Sequence, residues 1–299
     1  MSLFRYSFNN GKWFKGNTHT HTTVSDGGKS YSELAEMYAK EGYAFLFRTD
    51  HWLCPENVID DKNSPLLWID GIELDGDNPA GILYHVVGLG KFNGIKPEMK
   101  LVDAMESIRQ QGGLLILAHP LWSGNRQDEI LQWNFDGVEV YNHVCQWLNG
   151  KGWGVAHWHS MLEQNPNTLA IAADDVHLRV TEPGWKGGWI MVNAAECTPQ
   201  SIIHAIRRGT FYATQGPLFE QITCEDGQIH VQTTPVQFIR LVGPAWNGTR
   251  VGSFDGKLYT QASFTIPKDW KYAYLEIEDP CGRHAWTNTL WVSEPGERV

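Results

Sequence analysis

The stretch Gly-Asn-Thr-His-Thr-His at residues 16–21 decides how this chain can fold, because it places two imidazoles at the end of a predicted strand. Successive side chains on a strand point to opposite faces, so His19 and His21 aim at the same point and can chelate one ion. Asp175 and His177 have the same offset at the end of Leu-Ala-Ile-Ala-Ala-Asp-Asp-Val-His, residues 169–177. That apolar run is typical of a buried parallel strand. The sequence therefore predicts two strand ends that face one pocket.

Five further side chains able to bind metal lie between these two pairs, most of them at or within short apolar segments that predict strands. They are Asp26, His51, Glu73, His85 and His119. In a parallel α/β barrel the carboxyl ends of the strands converge on one face, where active sites lie. A mixture of imidazoles and carboxylates suits Zn, Mn or Fe better than Mg or Ca. The pattern predicts a multinuclear metal site, and the choice among those three metals stays open.

A second His-x-His, formed by His157 and His159, serves as an internal control. The surrounding residues favour a helix, in which side chains at i and i+2 do not face each other. We therefore leave both histidines out of the predicted site.

The ordered set of nine residues resembles the PHP (polymerase and histidinol phosphatase) superfamily of metal-dependent phosphoesterases, over roughly residues 13–218. Gly-Asn-Thr-His-Thr-His-Thr-Thr, Gly-Tyr-Ala-Phe-Leu and Gly-Thr-Phe-Tyr-Ala-Thr-Gln-Gly-Pro resemble its carbaryl-hydrolase-like branch. The resemblance implies an α/β fold, a distorted (β/α)7 barrel, with a trinuclear metal centre. The implied ligand sets are His19, His21, Glu73 and Asp175 for one ion, Glu73, His85 and His119 for the second, and Asp26, His51 and His177 for the third.

The reaction that this resemblance implies is hydrolysis of a phosphate monoester or diester by a metal-bound hydroxide. Glu73, Asp175 and His177 are the catalytic candidates. A carboxylic ester or carbamate hydrolase is the alternative, and a noncatalytic carbohydrate-binding or assembly protein is a third hypothesis. Loss of several ligands would favour the third, whereas all nine positions hold residues able to bind metal.

Several other residues are candidates for roles around the metal site. Arg48, Arg179 and Lys186 are the cationic candidates for contact with a substrate anion, and Arg48 is alternatively a buried ion-pair partner of Asp50. Aromatic side chains close to ligands in the sequence indicate an apolar pocket wall, and three acidic residues are candidates to orient an imidazole. These residues are Trp52 and Trp122 for the wall, and Asp50, Glu139 and Asp174 for the orienting role.

Composition agrees with a hydrolase of small molecules. The chain has 299 residues, of which 42% are hydrophobic, enough for one large domain and a small one. A net charge of −10 without clustered Lys and Arg argues against a nucleic-acid surface. The resemblance implies a small, phosphorylated substrate. The five scattered cysteines indicate reduced thiols. Because no segment has the length of a signal peptide or a membrane span, we expect a cytoplasmic protein that does not bind membranes.

Strand and helix signals alternate up to residue 210 and then change. Helices are predicted after the capping box Ser30-x-x-Glu33, at 101–112, near 146–163, and from Thr198-Pro199 to Gly209. Beyond residue 217, alternating apolar and polar segments predict a small antiparallel domain. We therefore predict a barrel at 1–218 and a β-sandwich-like domain at 219–299. The tryptophans of that domain either fill its core or form a sugar-binding face, namely Trp246, Trp270, Trp286 and Trp291.

Overall fold

A computed structural model of the chain describes residues 3–6, 11–54 and 63–292. Parts of the N-terminal stretch and the last residues of the predicted C-terminal domain, 293–299, lie outside the described residues. The helices are α1 (Tyr31–Lys40), α2 (Leu101–Gln110), α3 (Pro120–Ser123), α4 (Gln127–Ile130), α5 (His143–Asn149), α6 (Val155–Gln164) and α7 (Pro199–Arg208). The strands are β1 (Leu3–Phe4), β2 (Lys12–Asn17), β3 (Phe45–Arg48), β4 (Leu67–Asp77), β5 (Leu83–Leu89), β6 (Leu114–Leu117), β7 (Gly137–Asn142), β8 (Leu169–Ala173), β9 (Trp189–Ala194), β10 (Phe211–Thr214), β11 (Phe219–Glu225), β12 (Gln228–Val236), β13 (Phe238–Val242), β14 (Gly248–Gly252), β15 (Tyr259–Thr265), β16 (Tyr274–Glu278), β17 (His284–Thr287) and β18 (Trp291–Val292).

One large mixed sheet organises the molecule. Its 13 strands follow the order β14-β13-β16-β17-β10-β9-β2-β3-β4-β5-β6-β7-β8. Strands β2 to β8 lie side by side in chain order, as a seven-stranded barrel requires. A closed barrel is not confirmed, because among the described residues β8 is an edge strand of the sheet and does not pair with β2. The segments that follow these two strands are joined by an isolated parallel bridge between Thr20 and Val176 and by hydrogen bonds between Asn17 and Asp174.

Strand β5 breaks the predicted alternation of parallel strands and helices. It pairs antiparallel with both β4 and β6, whereas β2-β3-β4 and β6-β7-β8 are parallel. The cause is the short connection after β4, where Asn78 Oδ1 accepts hydrogen bonds from the backbone N–H groups of Ala80 and Ile82. A connection this short can join only antiparallel neighbours.

The helix prediction is confirmed at three of its four positions. Helix α1 has the complete capping box between Ser30 and Glu33, α2 begins at Leu101, and α7 runs from the Thr198 cap to Gly209 in the left-handed conformation. The long helix near 146–163 is wrong, because α5 ends at Gly150 with a φ of 77° and α6 begins only at Val155. Between them Gly152 and Gly154 lie against the backbone of β7, where no Cβ would fit.

The predicted antiparallel segments beyond residue 217 are strands β11 to β17. Three of them form a separate sheet in the order β11-β12-β15, while β13, β14, β16 and β17 extend the large sheet through the β10–β17 pair. The two layers enclose an apolar core that includes Ile222, Val231, Ile239 and Leu275. The boundary near residue 218 stays a prediction. Of the four tryptophans, Trp286 is fully buried and Trp246 is 92% exposed. The prediction that the tryptophans fill the core therefore holds for Trp286 and not for Trp246.

The side chain of Asn288 spans the gap at the open edge of β8. Its Oδ1 accepts the backbone N–H of Ala170, and its Nδ2 donates to the carbonyl oxygens of Gly209 and Phe211. These groups are buried, so each needs a partner inside the protein. Among the described residues, no helix combines the length and apolar character needed to cross a membrane.

We expect Asn288→Ala to lower the free energy of unfolding by roughly 2–4 kcal/mol. The substitution would leave the buried backbone groups of Ala170, Gly209 and Phe211 without the hydrogen bonds that Asn288 makes to them. Urea denaturation followed by circular dichroism measures the change. The matched control is Asn149→Ala, at an exposed helix end, which should change stability by less than about 0.5 kcal/mol. Equal effects in the two variants would contradict this role for Asn288.

Candidate metal centre

The predicted ligands lie at one edge of the large sheet. His19 and His21 follow β2, His51 follows β3, His119 follows β6, and Asp175 follows β8. Glu73 lies inside the long strand β4, and His85 lies near the beginning of β5. Because β5 is antiparallel, its amino end meets the carboxyl ends of its neighbours, which explains why His85 still joins the cluster.

Glu73 is at the centre of the cluster. Its carboxylate is buried and close to five imidazoles, which divide between its two oxygens. Oε1 lies 2.9 Å from His85 Nδ1, 3.3 Å from His19 Nε2 and 3.5 Å from His119 Nε2, and Oε2 lies 3.1 Å from His21 Nε2 and 3.3 Å from His51 Nδ1.

The remaining carboxylates complete the cluster on either side of Glu73. Asp175 Oδ1 lies 3.1 Å from His21 Nε2 and 3.3 Å from His19 Nε2. Asp26 reaches the other nitrogen of His21 at 3.4 Å and His177 Nε2 at 3.3 Å. The nine predicted residues therefore come together at one place. Their donor atoms form overlapping groups in which all atoms lie within 4.8 Å of one another: His21, Asp26, His51 and His177; His19, His21 and Asp175; His19, Glu73 and His119; and His51, Glu73 and His85.

Several donor atoms in this cluster are buried without a hydrogen-bond partner. They are His19 Nε2, His21 Nδ1 and Nε2, His51 Nδ1 and Asp175 Oδ1. Buried polar atoms are nearly always satisfied, so a group of unsatisfied ones at a single place indicates a missing partner such as an ion. Nitrogen and carboxylate donors converging in this way fit divalent transition-metal ions.

Electrostatics point in the same direction. Burial alone would lower the pKa of His21, but contacts with Asp175 and Glu73 outweigh it and raise the pKa to about 10. Burial would raise the pKa of Glu73, yet the charges of neighbouring imidazoles, His19 first, hold it well below its usual value. The buried carboxylates therefore favour positive charge on the groups around them, which divalent ions would also supply.

Glu139 contacts two of the predicted ligands, His19 and His119. Its Oε1 lies 2.7 Å from His19 Nδ1, and its Oε2 accepts the backbone N–H of His119 at 2.9 Å. Asp50 and Asp174 instead hold loops: Asp50 accepts hydrogen bonds from the Thr22 and Ser25 backbone, and Asp174 from the backbone of 186–188. Of the three candidates for orienting an imidazole, the structure thus places Glu139 in contact with one.

Two cluster neighbours were not predicted. Asp75 Oδ1 lies 3.0 Å from His51 Nδ1, and the i, i+2 offset from Glu73 on β4 was the signal that could have revealed it. Cys145 lies with His119 and Asp175 in a fifth group of donor atoms within 4.8 Å of one another, and it comes from α5 rather than from a strand end. The excluded pair, His157 and His159, lies on α6 and contacts Asn125 and Tyr274.

The cationic candidates lie in different places. Arg179 forms an ion pair with Asp26, lies 3.5 Å from Glu182, and lines the pocket over the cluster. Lys186 pairs with Glu41 at 3.0 Å. Of the two alternatives for Arg48, a buried ion pair is present, but its partner is Asp70 at 2.9 Å, the register partner on β4, and not Asp50. The substrate contact stays a prediction.

A pocket of about 210 Å³ opens over the cluster, and seven of the nine predicted ligands line it. The other lining residues are of two kinds. Arg179 and Glu182 are charged, and Trp122, Val144, Cys145 and Leu148 are apolar or weakly polar. Trp122 packs its ring against those of His119 and His85, at centroid distances of 5.1 and 5.7 Å. Trp52 lines a separate cavity, and its indole N–H donates to the Asp75 carbonyl, so only one of the two expected wall residues belongs to this pocket.

Comparison with known proteins supports the fold. The sequence matches no protein-family model and no curated protein. Among solved structures, a two-domain protein of Bacteroides vulgatus containing a predicted PHP-like metal-dependent phosphoesterase aligns with a TM-score of 0.54 and 15% identity, over 95% of this chain and 97% of that one. The PHP-like resemblance is thereby confirmed at the level of the fold, and the carbaryl-hydrolase-like assignment stays a prediction.

Two further solved structures show weaker likeness. One, from Bifidobacterium adolescentis, is a metal-dependent phosphoesterase by prediction, with a TM-score of 0.42 and 12% identity over 54% of this chain and 87% of that one. The other is an amidohydrolase from Chromobacterium violaceum with bound sulfate and no metal, with a TM-score of 0.43 and 15% identity over 66% of this chain and 96% of that one. Likenesses at this level support no argument about the site.

We expect Glu139→Gln to weaken metal binding by roughly 10–100-fold, since the partner that orients a ligating imidazole is lost while the side-chain shape is kept. Zinc competition against a chromophoric chelator measures the affinity. Glu220→Gln, at an exposed position on β11, is the matched control and should bind metal like the parent protein. If both variants retain full affinity, Glu139 does not orient a ligand.

Proposed function

We propose that this protein is a metal-dependent hydrolase of phosphate monoesters or diesters. The observation that supports the proposal most is the convergence of nine nitrogen and carboxylate donors, several of them buried and unsatisfied, beneath a pocket open to substrate. Divalent ions bound there would lower the pKa of a coordinated water and polarise the phosphoryl group.

We assign the donors to three ions, as the resemblance implies, and the donor groups agree with the first and third sets more closely than with the second. The oxygens of Glu73 face different imidazoles, as expected of a carboxylate shared between two ions. The first set is His19, His21, Glu73 and Asp175, the second is Glu73, His85 and His119, and the third is Asp26, His51 and His177. His85 lies near His51 as well as near His119, so it has two candidate positions.

Protein side chains other than the ligands would bind and orient the substrate. Arg179 is the one Arg or Lys among the described residues that line the pocket, and it is the candidate for holding an anionic oxygen of the substrate. Its ion pair with Asp26 also fixes a predicted ligand. Glu73, Asp175 and His177 are the catalytic candidates, since they face the pocket and contact the other donors.

Trp122, Val144 and Leu148 favour the second candidate function, the hydrolysis of a carboxylic ester or carbamate. They form an apolar wall beside His119 that could accept an uncharged aromatic group. Substrate choice between the two functions would then depend on the pocket walls rather than on the cluster.

We expect metal-reconstituted protein to hydrolyse p-nitrophenyl phosphate or bis-p-nitrophenyl phosphate, and His119→Ala to reduce this activity to background. The assay follows nitrophenolate release before and after chelation and metal return. His204→Ala, at an exposed position of α7, is the control and should retain full activity. Activity confined to an aryl acetate or carbamate would overturn the phosphoesterase assignment in favour of the second candidate.

The two candidate functions also predict opposite responses to wall substitutions. We expect Arg179→Met to lower kcat/KM for the phosphate substrate about 10–100-fold, because a charge-assisted hydrogen bond contributes about 1.5–3 kcal/mol. Trp122→Ala should have the larger effect if a carbamate or carboxylic ester is the substrate. Arg250→Met, on strand β14 far along the sheet from the cluster, controls for the loss of a surface charge.

A further inference from the structure

The thiol of Cys145 lies on the wall of the metal pocket. Its sulfur is within 4.8 Å of donor atoms of both His119 and Asp175, and only 2% of the residue is exposed. Four of the five cysteines, by contrast, lie outside every group of potential donors found among the described residues. The position of Cys145 therefore needs an explanation beyond the filling of space.

A second observation points to a ligand beside Asp175, which belongs to the donor group that contains the Cys145 sulfur. Its Oδ1 is buried and has no aligned hydrogen bond, although His21 Nε2 and His19 Nε2 lie 3.1 and 3.3 Å away, and its Oδ2 lies 3.7 Å from His119 Nε2. A buried carboxylate oxygen in this state requires a donor or a cation. The three residues thus offer nitrogen, oxygen and sulfur to one shared partner.

The backbone holds Cys145 in this position through a residue that also contacts Asp175. The backbone N–H of Cys145 donates to Asn142 Oδ1 at 3.0 Å, while Asn142 Nδ2 donates to Asp175 Oδ2 at 3.2 Å and to Glu139 Oε2 at 2.8 Å. Glu139 in turn holds the backbone of His119. One hydrogen-bond network therefore fixes the positions of the three potential donors relative to one another.

We propose that Cys145 is a metal ligand beyond the nine, whose sulfur joins His119 and Asp175 around one ion. This proposal rests on the metal-dependent function proposed above. Binding would break the S–H bond, release its proton to solvent, and leave the sulfur electron pair to the ion. A thiolate donor favours softer ions, so this position would select zinc, iron or cobalt over manganese or magnesium.

Cobalt substitution tests the proposal by a readout other than activity. We expect the cobalt(II) protein to show a near-ultraviolet thiolate-to-cobalt charge-transfer band, which Cys145→Ser loses while it keeps the visible cobalt bands. Cys281→Ser, at an exposed cysteine, should keep both. X-ray absorption of the zinc protein should likewise show a sulfur neighbour at about 2.3 Å. Thermal melting of the metal-free variants reports whether each is folded.

The outcomes separate this proposal from the proposed function. Full cobalt occupancy without a charge-transfer band in the parent protein, or a band that persists in Cys145→Ser, would overturn the sulfur ligand and leave the hydrolase intact. A band without hydrolysis of any phosphate ester would support the ligand and remove the phosphoesterase assignment. Failure to bind cobalt or zinc would overturn both.

Discussion

The buried carboxylate of Glu73 is the constraint on which the rest of the structure depends. An isolated ionised carboxylate is very costly to bury, so the surrounding groups must supply positive charge. Protons on the imidazoles can do this only by bringing like charges together, as in the stacked rings of His21 and His177, whose centroids are 4.2 Å apart. Divalent ions would supply the same charge while leaving the imidazoles neutral, which explains how so many donors can share one buried space.

The sheet provides the geometry that this arrangement needs. Side chains must arrive from many strands at one edge, and the order of β2 to β8 delivers them without long connections. The reversed strand β5 does not disturb this, because its amino end lies at the edge where the parallel strands end. Below the donors, the strands and α7 bury an apolar cluster that includes Phe45, Phe47, Ile116 and Ile206, which leaves the donor atoms with little freedom to move apart.

The sequence indicated that the predicted ligands would lie close together, because the two-residue periodicity of a strand is a local signal. The i, i+2 pairs His19 with His21 and Asp175 with His177 show that periodicity directly. It could not predict features that depend on distant pairing. The direction of β5 depends on its pairing with β6 as well as β4, and the partner of Arg48 depends on the register between β3 and β4. The open barrel edge depends on where β9 and β10 join the sheet. Cys145 carries no periodic signal at all, since a helix brings it to the pocket.

The pocket walls, rather than the cluster, carry the information about substrate. An electrophilic carbon or phosphorus atom could react over the same donors, so the nine residues do not distinguish a phosphate ester from a carbamate. Arg179 offers a positive charge, but Asp26 and Glu182 already balance part of it. Trp122 and Leu148 offer apolar surface on the same pocket, and among the described residues no ion pair competes for it. A substrate that used both walls would combine an anionic group beside Arg179 with an apolar body beside Trp122.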